Sequence, residues 1–396
     1  MGGAFLEKAE RLAGRLSQIR RQIHMYPELG YEEQRTSRFI AETLDGLGLE
    51  VRTGVAKTGV VGLLKGAGPG KTVAMRADMD ALPVTEQNDV PYRSRVDGVM
   101  HACGHDGNTA TVLGAAMLLS GMRNEIRGNA KFIFQPSEEA PPGGAQPMIK
   151  AGVLEKPKVD YVLGVHVDPT YDAGKIGFRD GPMMAAADDF KFAVLGEASH
   201  GAKPHLGVDA IVLSAQVVQA LQTIPSRRIN PTHPVVVTLG TIKGGYRRNI
   251  IADRVDVEGT ARTLDAKDRT EVEKLIERTI AQVTKSGGGR YEYAYDRGYP
   301  VLTSDPAITE IVRSAAREVL GKRSVVEIGE PSMGGEDFAY FLNEVPGMMM
   351  RLGTRNRAKG FTHPWHHPKF DLDENGLWMG AAVMARAALM CMEKGR

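Results

Sequence analysis

KFIFQPSEEAPPGG (131–144) decides how the chain is read. KFIFQ (131–135) is a short apolar run with the look of a buried strand. It breaks at once into QPSEEAPPGG (135–144), a Pro- and Gly-rich loop that carries two adjacent carboxylates, Glu138 and Glu139. Outward on one side, helical spacing predicts a helix over 108–119. On the other come a short helix near 145–151 and the buried-type strand DYVLGVHV (160–167). Further back lie helical spacings over 6–25 and 32–47, then strands VVGLLK (60–65) and TVAMRA (72–77) around a Gly/Pro turn. Strand and helix in alternation argue for a three-layer α/β/α domain.

From about residue 188 the rhythm changes. Strand DFKFAVLG (189–196), a helix over 207–224, strands PVVVTLGTI (234–242) and RVDVEGTAR (254–262), a helix over 265–285 and a strand over 290–297 spell β-α-β-β-α-β. That is the ferredoxin-like α+β order. After Pro300 the first rhythm resumes: helix 305–319, strand 324–328, helix 336–344, strand 347–352 and a last helix over 374–393. The simplest account is a small domain, 188–298, inserted into a larger one made of 1–187 and 299–396. A chain of 396 residues is also too long for one ordinary core.

Composition narrows the function. With 25% charged residues, a net charge of +2 and no long run of one sign, the chain lacks the electrostatic footprint of a nucleic-acid or anionic-membrane binder. No 18 apolar residues run together, so no membrane span is expected. The N-terminus puts Glu7, Lys8, Glu10 and Arg11 where a signal peptide needs its apolar stretch. Two cysteines far apart, Cys103 and Cys391, imply no disulfide framework, and a cytoplasmic location is expected.

The histidines are the informative residues. Most of the ten sit beside acids, Gly or Pro in loops after predicted strands, which is where open α/β sheets bind ligands. RADMDALP (76–83) presents Asp78 and Asp80. HACGHDGNT (101–109) brings His101, Cys103, His105 and Asp106 into one loop before a helix. GVHVDP (164–169) puts His166 at a strand end, and FTHPWHHPKFDLDE (361–374) adds His363, His366 and His367. Imidazole, thiolate and carboxylate together suit a borderline divalent metal, Zn²⁺ or Mn²⁺ first, with Co²⁺ and Ni²⁺ as alternatives. In the Glu138–Glu139 pair, a cation bound by one carboxylate leaves the other free to act as general base. Singly, each segment has an ordinary structural explanation: a buried thiol, a core histidine, a capped turn. His24 is read as structural. Five such segments together make the structural explanation improbable.

At these residues the sequence resembles the M20 metallopeptidase family, in its amidohydrolase branch of aminoacylases, hippurate hydrolases and auxin-conjugate hydrolases. The resemblance runs from RRQIHMYPELGYEE (20–33) to HHPKFDLDE (366–374). It implies a metallopeptidase-type catalytic domain with an inserted lid or dimerisation domain, and two divalent metal ions. Carried over residue by residue, it implies Cys103 as the bridging ligand, His105 and His166 completing one site, and Glu139 and His366 the other. Glu138 matches the general base and Asp80 the acid that orients a metal ligand. His200, in GEASHGAKPH (196–205), matches a histidine that stabilises the oxyanion, often from a partner subunit. Asn249 and Arg262 match residues holding the substrate carboxylate, and Gly335, in GGEDF (334–338), a loop lining the same pocket.

Two departures stand out. Asn108 occupies the place of a family histidine and is not among the expected ligands. EEAPPGGA replaces a Gly-rich stretch, so Pro141 and Pro142 stiffen the loop behind the base. The activity implied is metal-dependent hydrolysis of N-acyl amino acids by a homodimer or homotetramer. A carboxypeptidase or dipeptidase of the same family is the alternative, and behind it a cysteine-nucleophile amidase using Cys103.

Overall fold

The computed structural model describes residues 2–393. Met1, Lys394, Gly395 and Arg396 lie outside the described residues, and with them the outermost ends of the expected 1–187 and 299–396 segments.

The strand that ends at Gln135 has the neighbours its apolar run requires. Arg127–Gln135 pairs in parallel with Gly68–Asp78, Asp78 facing Gln135, and antiparallel with Gly59–Lys65. The sheet then continues through Tyr161–Asp172 and Gly347–Arg355, both parallel to Gly68–Asp78, to the short strands Ile176–Phe178 and Val325–Glu327. Glu50–Val55 forms the opposite edge of these eight strands. Unbroken apolar runs belong to strands covered on both faces, and Gly347–Arg355 is buried along nearly its whole length. Helices Ala13–His24, His105–Ser120 and Asn375–Glu393 pack on one another and over Gly68–Asp78. His105–Ser120 is buried on almost every side, as a helix that is apolar all round must be.

Several boundaries differ from the sequence reading. The predicted helix over 6–25 is two, Gly2–Glu10 and Ala13–His24, parted where Leu12 N–H donates to Ala9 O in a three-residue step. The helix expected from 108 starts at His105, so His105 and Asp106 sit in its first turn and not in a free loop. The helix expected over 336–344 shrinks to Ala339–Glu344, because 336–338 form a turn instead: Ala339 N–H donates to Glu336 O, and the Glu336 carboxylate accepts from Phe338 N–H.

The chain divides into two compact units. One holds Met1–Gly181, Thr303–Glu330 and Tyr340–Arg396. The other holds Pro182–Leu302 and Pro331–Ala339, a wider span than 188–298. In the second unit, Ala186–Leu195 and Arg254–Thr263 are the central pair of a four-stranded antiparallel sheet, with Arg290–Arg297 and Val235–Gly244 as its edges. Helices Ala210–Leu221 and Ala266–Ser286 start at Asp209 and Asp265, whose carboxylates accept from two backbone amides each. They bury Val217, Leu221, Ile276 and Ile280 against Phe190, Phe192 and Val194. This is the ferredoxin-like arrangement.

Candidate metal centre

Parallel pairing brings the carboxyl ends of three strands side by side, and the candidate residues hang from those ends. Asp80 follows Gly68–Asp78, Glu138 and Glu139 follow Arg127–Gln135, and His166 lies within Tyr161–Asp172 opposite Arg351. Cys103 and His105 arrive by the turn into the helix His105–Ser120. That turn needs Gly104: its φ is 89°, and a Cβ there would stand 2.3 Å from Val167 Cγ2. His366 comes from the other end of the chain, itself at φ 64°, with its N–H donating to Ala102 O at 2.8 Å.

The side chains converge as two overlapping groups. Donor atoms of Cys103, His105 and His166 lie within 4.8 Å of one another, and so do those of Cys103, Glu139 and His366. Cys103 belongs to both. Glu138 groups with His105 and Glu139. His363 and His367 stack on each other 4.3 Å apart and enter no such group among the described residues.

Each ligand is aimed by a neighbour. Asp80 is the central brace: its carbonyl and Oδ1 lie 2.9 and 3.2 Å from His105 Nδ1, while its Oδ2 accepts from Glu139 N–H at 3.0 Å. One carboxylate thereby orients a ring and a backbone, as outer residues of metal sites do. His166 Nδ1 faces Val167 O at 2.8 Å, which turns Nε2 toward Cys103 Sγ at 3.6 Å. Burial, and after it the positive Arg351, push His166 down to about 3, so the ring is a neutral donor.

Within these donor groups, two buried atoms have no hydrogen-bond partner among the described residues: His105 Nε2 and Glu139 Oε1. Glu139 Oε1 lies 3.8 Å from His105 Nε2 and 3.4 Å from His366 Nε2, and neither pair closes a hydrogen bond. A polar atom left buried and unpaired is costly. A cation resolves both at once. Burial first and the Glu139 charge second push the Cys103 thiol well above its usual value, and a bound divalent ion reverses that by holding the thiolate. The donors therefore fit two divalent ions sharing a cysteine.

Sequence reasoning missed what lies under the site. Asn108 is fully buried, donates to Asp78 Oδ1 and accepts from Val167 N–H, both at 2.8 Å, tying two ligand-bearing strand ends together. Burial alone would raise the Asp78 carboxyl, but His105 and Arg76 outweigh it and hold it below its usual range. The helix of Asn108 also buries Asp106, Thr109 and Thr111, so no local pattern set Asn108 apart. His24 is structural in the sense expected: it lies buried between Asp106 and Glu86, at 2.7 and 3.3 Å.

The remaining candidates belong to the second unit. His200 bridges to Ile250, and Gly201 N–H donates to Asn249 O, so His200 and Asn249 are neighbours there. Arg262 pairs with Ala187, and a Cβ on Gly335 would meet Ala187 Cβ at 3.0 Å, which puts Arg262 and Gly335 on one strand's flank.

Comparison with known proteins gives the family. The profile of peptidase family M20/M25/M40 matches residues 74–390. The chain is 44% identical to thermostable carboxypeptidase 2 of Saccharolobus solfataricus, over 95% of either chain. It is 41% identical to an N-acetyl-L-cysteine deacetylase of Bacillus subtilis, over 91% of this chain and 84% of that one. A crystal structure of a dinuclear metal-binding M20 peptidase from Bacillus subtilis superposes with a TM-score of 0.85 at 35% identity, covering 97% of this chain and 99% of that one. The chain belongs to peptidase family M20/M25/M40. It is a hydrolase of the amidohydrolase kind with a site for two divalent metal ions.

Proposed function

We propose that the chain hydrolyses the amide bond of N-acyl amino acids, releasing a carboxylic acid and the free amino acid. The observation that carries this reading is the pair of donor groups sharing Cys103, with Glu138 beside them. Two divalent ions, Zn²⁺ or Mn²⁺ first, would supply there the polarisation of the scissile carbonyl and the acidification of water. Cys103, His105, His166, Glu139 and His366 hold them, and Asp80 keeps His105 and the Glu139 backbone in place. Glu138 takes the proton of the attacking water and delivers it to the leaving nitrogen. His200 donates to the oxyanion of the tetrahedral intermediate. Arg262 and Asn249 hold the substrate carboxylate, Arg262 through its planar fork, and the backbone at Gly335 lines the same pocket.

The name of the Saccharolobus relative favours a second reading, carboxypeptidase or dipeptidase action. The two differ only in what is attached to the nitrogen of the C-terminal amino acid. A cysteine-nucleophile amidase fits less well. A reactive thiol has a lowered pKa, whereas burial pushes Cys103 up.

A homodimer or homotetramer is part of the proposal. Val235–Gly244 is an edge strand bearing exposed Val236 and Ile242, and exposed Leu206, Ile211 and Val212 lie in the same unit. A cytoplasmic location suits the two buried thiols. Among the described residues no helix is long and apolar enough to cross a membrane.

The deciding assay sets N-acetyl and N-benzoyl amino acids against dipeptides, on protein stripped of metal and reloaded with each ion. Faster turnover of the acyl amino acids supports the first reading, and faster dipeptide turnover the second. Activity that survives chelation but not thiol alkylation would overturn both.

A further inference from the structure

ELGYEE (28–33) carries no role in the reaction as described, and it lies before the 74–390 segment that matches the family profile. It nevertheless grips both loops that flank the metal ligands. Ala81 N–H, one residue after Asp80, donates to Glu28 O at 2.8 Å, and Leu29 bridges to Ala81. On the other side it holds PSEEAPPGG (136–144) at two points. Glu33 Oε1 accepts from Ser137 N–H at 2.9 Å, and Tyr31 Oη donates to Gly143 O at 2.7 Å. Contact is close enough to exclude a side chain at residue 30, since a Cβ on Gly30 would stand 2.6 Å from Ser137 Oγ.

Ser137 is the sensitive point. Its φ is 53°, a left-handed conformation that residues other than glycine hold only when their surroundings impose it. The next residue is Glu138. A rotation at Ser137 swings the carboxylate that must take the water's proton, and Glu33 is the acceptor that holds the Ser137 amide. Glu33 is fully buried, and its other oxygen accepts from Thr58 Oγ1 at 2.6 Å. The carboxylate is therefore anchored to the strand start on one side and to the base-bearing loop on the other.

We propose that Glu33 is a positioning residue for the general base: it fixes the Ser137 peptide so that Glu138 faces the attacking water. The inference rests on Glu138 being that base. Burial raises the Glu33 carboxyl pKa, with hydrogen bonds from Thr58 and Ser137 opposing, so the neutral isostere is the fair control. In Glu33→Gln the amide oxygen still accepts from Ser137 N–H while the amide N–H₂ donates to Thr58 Oγ1. In Glu33→Ala the Ser137 amide loses its acceptor.

The test measures kcat, KM and bound metal for Glu33→Ala, Glu33→Gln, Thr58→Val and Glu138→Gln on one N-acyl amino acid. Glu33→Ala is expected to lose roughly 10–100-fold in kcat, with KM unchanged and both metal equivalents kept. Glu33→Gln and Thr58→Val should stay within about threefold of the parent, since outer hydrogen bonds of this kind matter through the geometry they hold. Normal kcat in Glu33→Ala overturns the proposal. Equal losses in the alanine and glutamine variants, or loss of metal in the alanine variant, make Glu33 merely structural and overturn it too. Near-normal turnover in Glu138→Gln instead removes the base assignment, whatever Glu33 does.

Discussion

Two buried polar clusters, one in each unit, show opposite habits. In the second unit, Asp188 is closed on itself: Arg269 reaches both carboxylate oxygens, Tyr295 donates to one and Gly298 N–H to the other. In the first unit, His105 Nε2 and Glu139 Oε1 are also buried and reach no hydrogen-bond partner among the described residues. Burial of polar groups is tolerated when their hydrogen bonds are complete. A complete cluster holds a fold together. An incomplete one, whose unpaired imidazole nitrogen and carboxylate oxygen share a space with a cysteine sulfur, is built to hold something else.

That contrast can be broken at several places. The largest effect belongs to the shared ligand. Cys103→Ala should abolish turnover and cost both metal equivalents, read by elemental analysis of the purified protein; loss of one equivalent only would show that the thiol does not serve both groups. Next comes the closed cluster. Asp188→Ala removes the carboxylate that Arg269 grips, and breaking a buried pair costs about 3–5 kcal/mol. Chemical denaturation should show that loss while metal content stays unchanged. The reverse pattern, metal lost and stability kept, would erase the distinction between the clusters.

A third effect concerns pH. His101 is fully buried, and burial, partly opposed by Asp106, pushes it down to about 4 from the ordinary histidine value. The folded pKa is the depressed one, so the unfolded chain takes the proton first as pH falls. Stability from a neutral His101 is complete above about 6.5 and is lost as pH falls from there to about 4, on the order of 3 kcal/mol in all. The metal-free protein should show that slope, and His101→Gln should flatten it. The smallest effect is Asn108→Ala. It strands Asp78 Oδ1 and Val167 N–H, at about 1–3 kcal/mol, and weakens metal retention during dialysis against chelator. Unchanged retention would show that the tie between the strand ends does not serve the ligands.

How much of this was legible in the sequence follows from range. Cys103, His105, Glu138, Glu139, His166 and His366 stood out because metal donors are rare residue types, set in loops after apolar strands. The structure then supplied their convergence. The alternation of the second unit was legible because its strands have one covered face, as the pattern of Ala186–Leu195 shows. Glu50–Val55, an edge strand with most residues exposed, and Ile176–Phe178, three residues long, have too little pattern to announce themselves. Residues 336–338 were read as helix, whereas they form a turn after a segment whose partner, Ala185, lies far away in the chain. Asn108 and Glu33 were unreadable for the same reason. Each acts through an acceptor or donor on a distant segment, and no local periodicity records such a contact.

His366 holds its place through its own backbone, by the bond from its amide to the carbonyl of Ala102, next to Cys103. The order of synthesis then matters. Three donors of the first group, Cys103, His105 and His166, are made by residue 166, whereas the second group lacks His366 for another 200 residues. The strand Gly347–Arg355, which pairs with the strand bearing His166, is also made late. The full donor set therefore exists only when translation is almost finished.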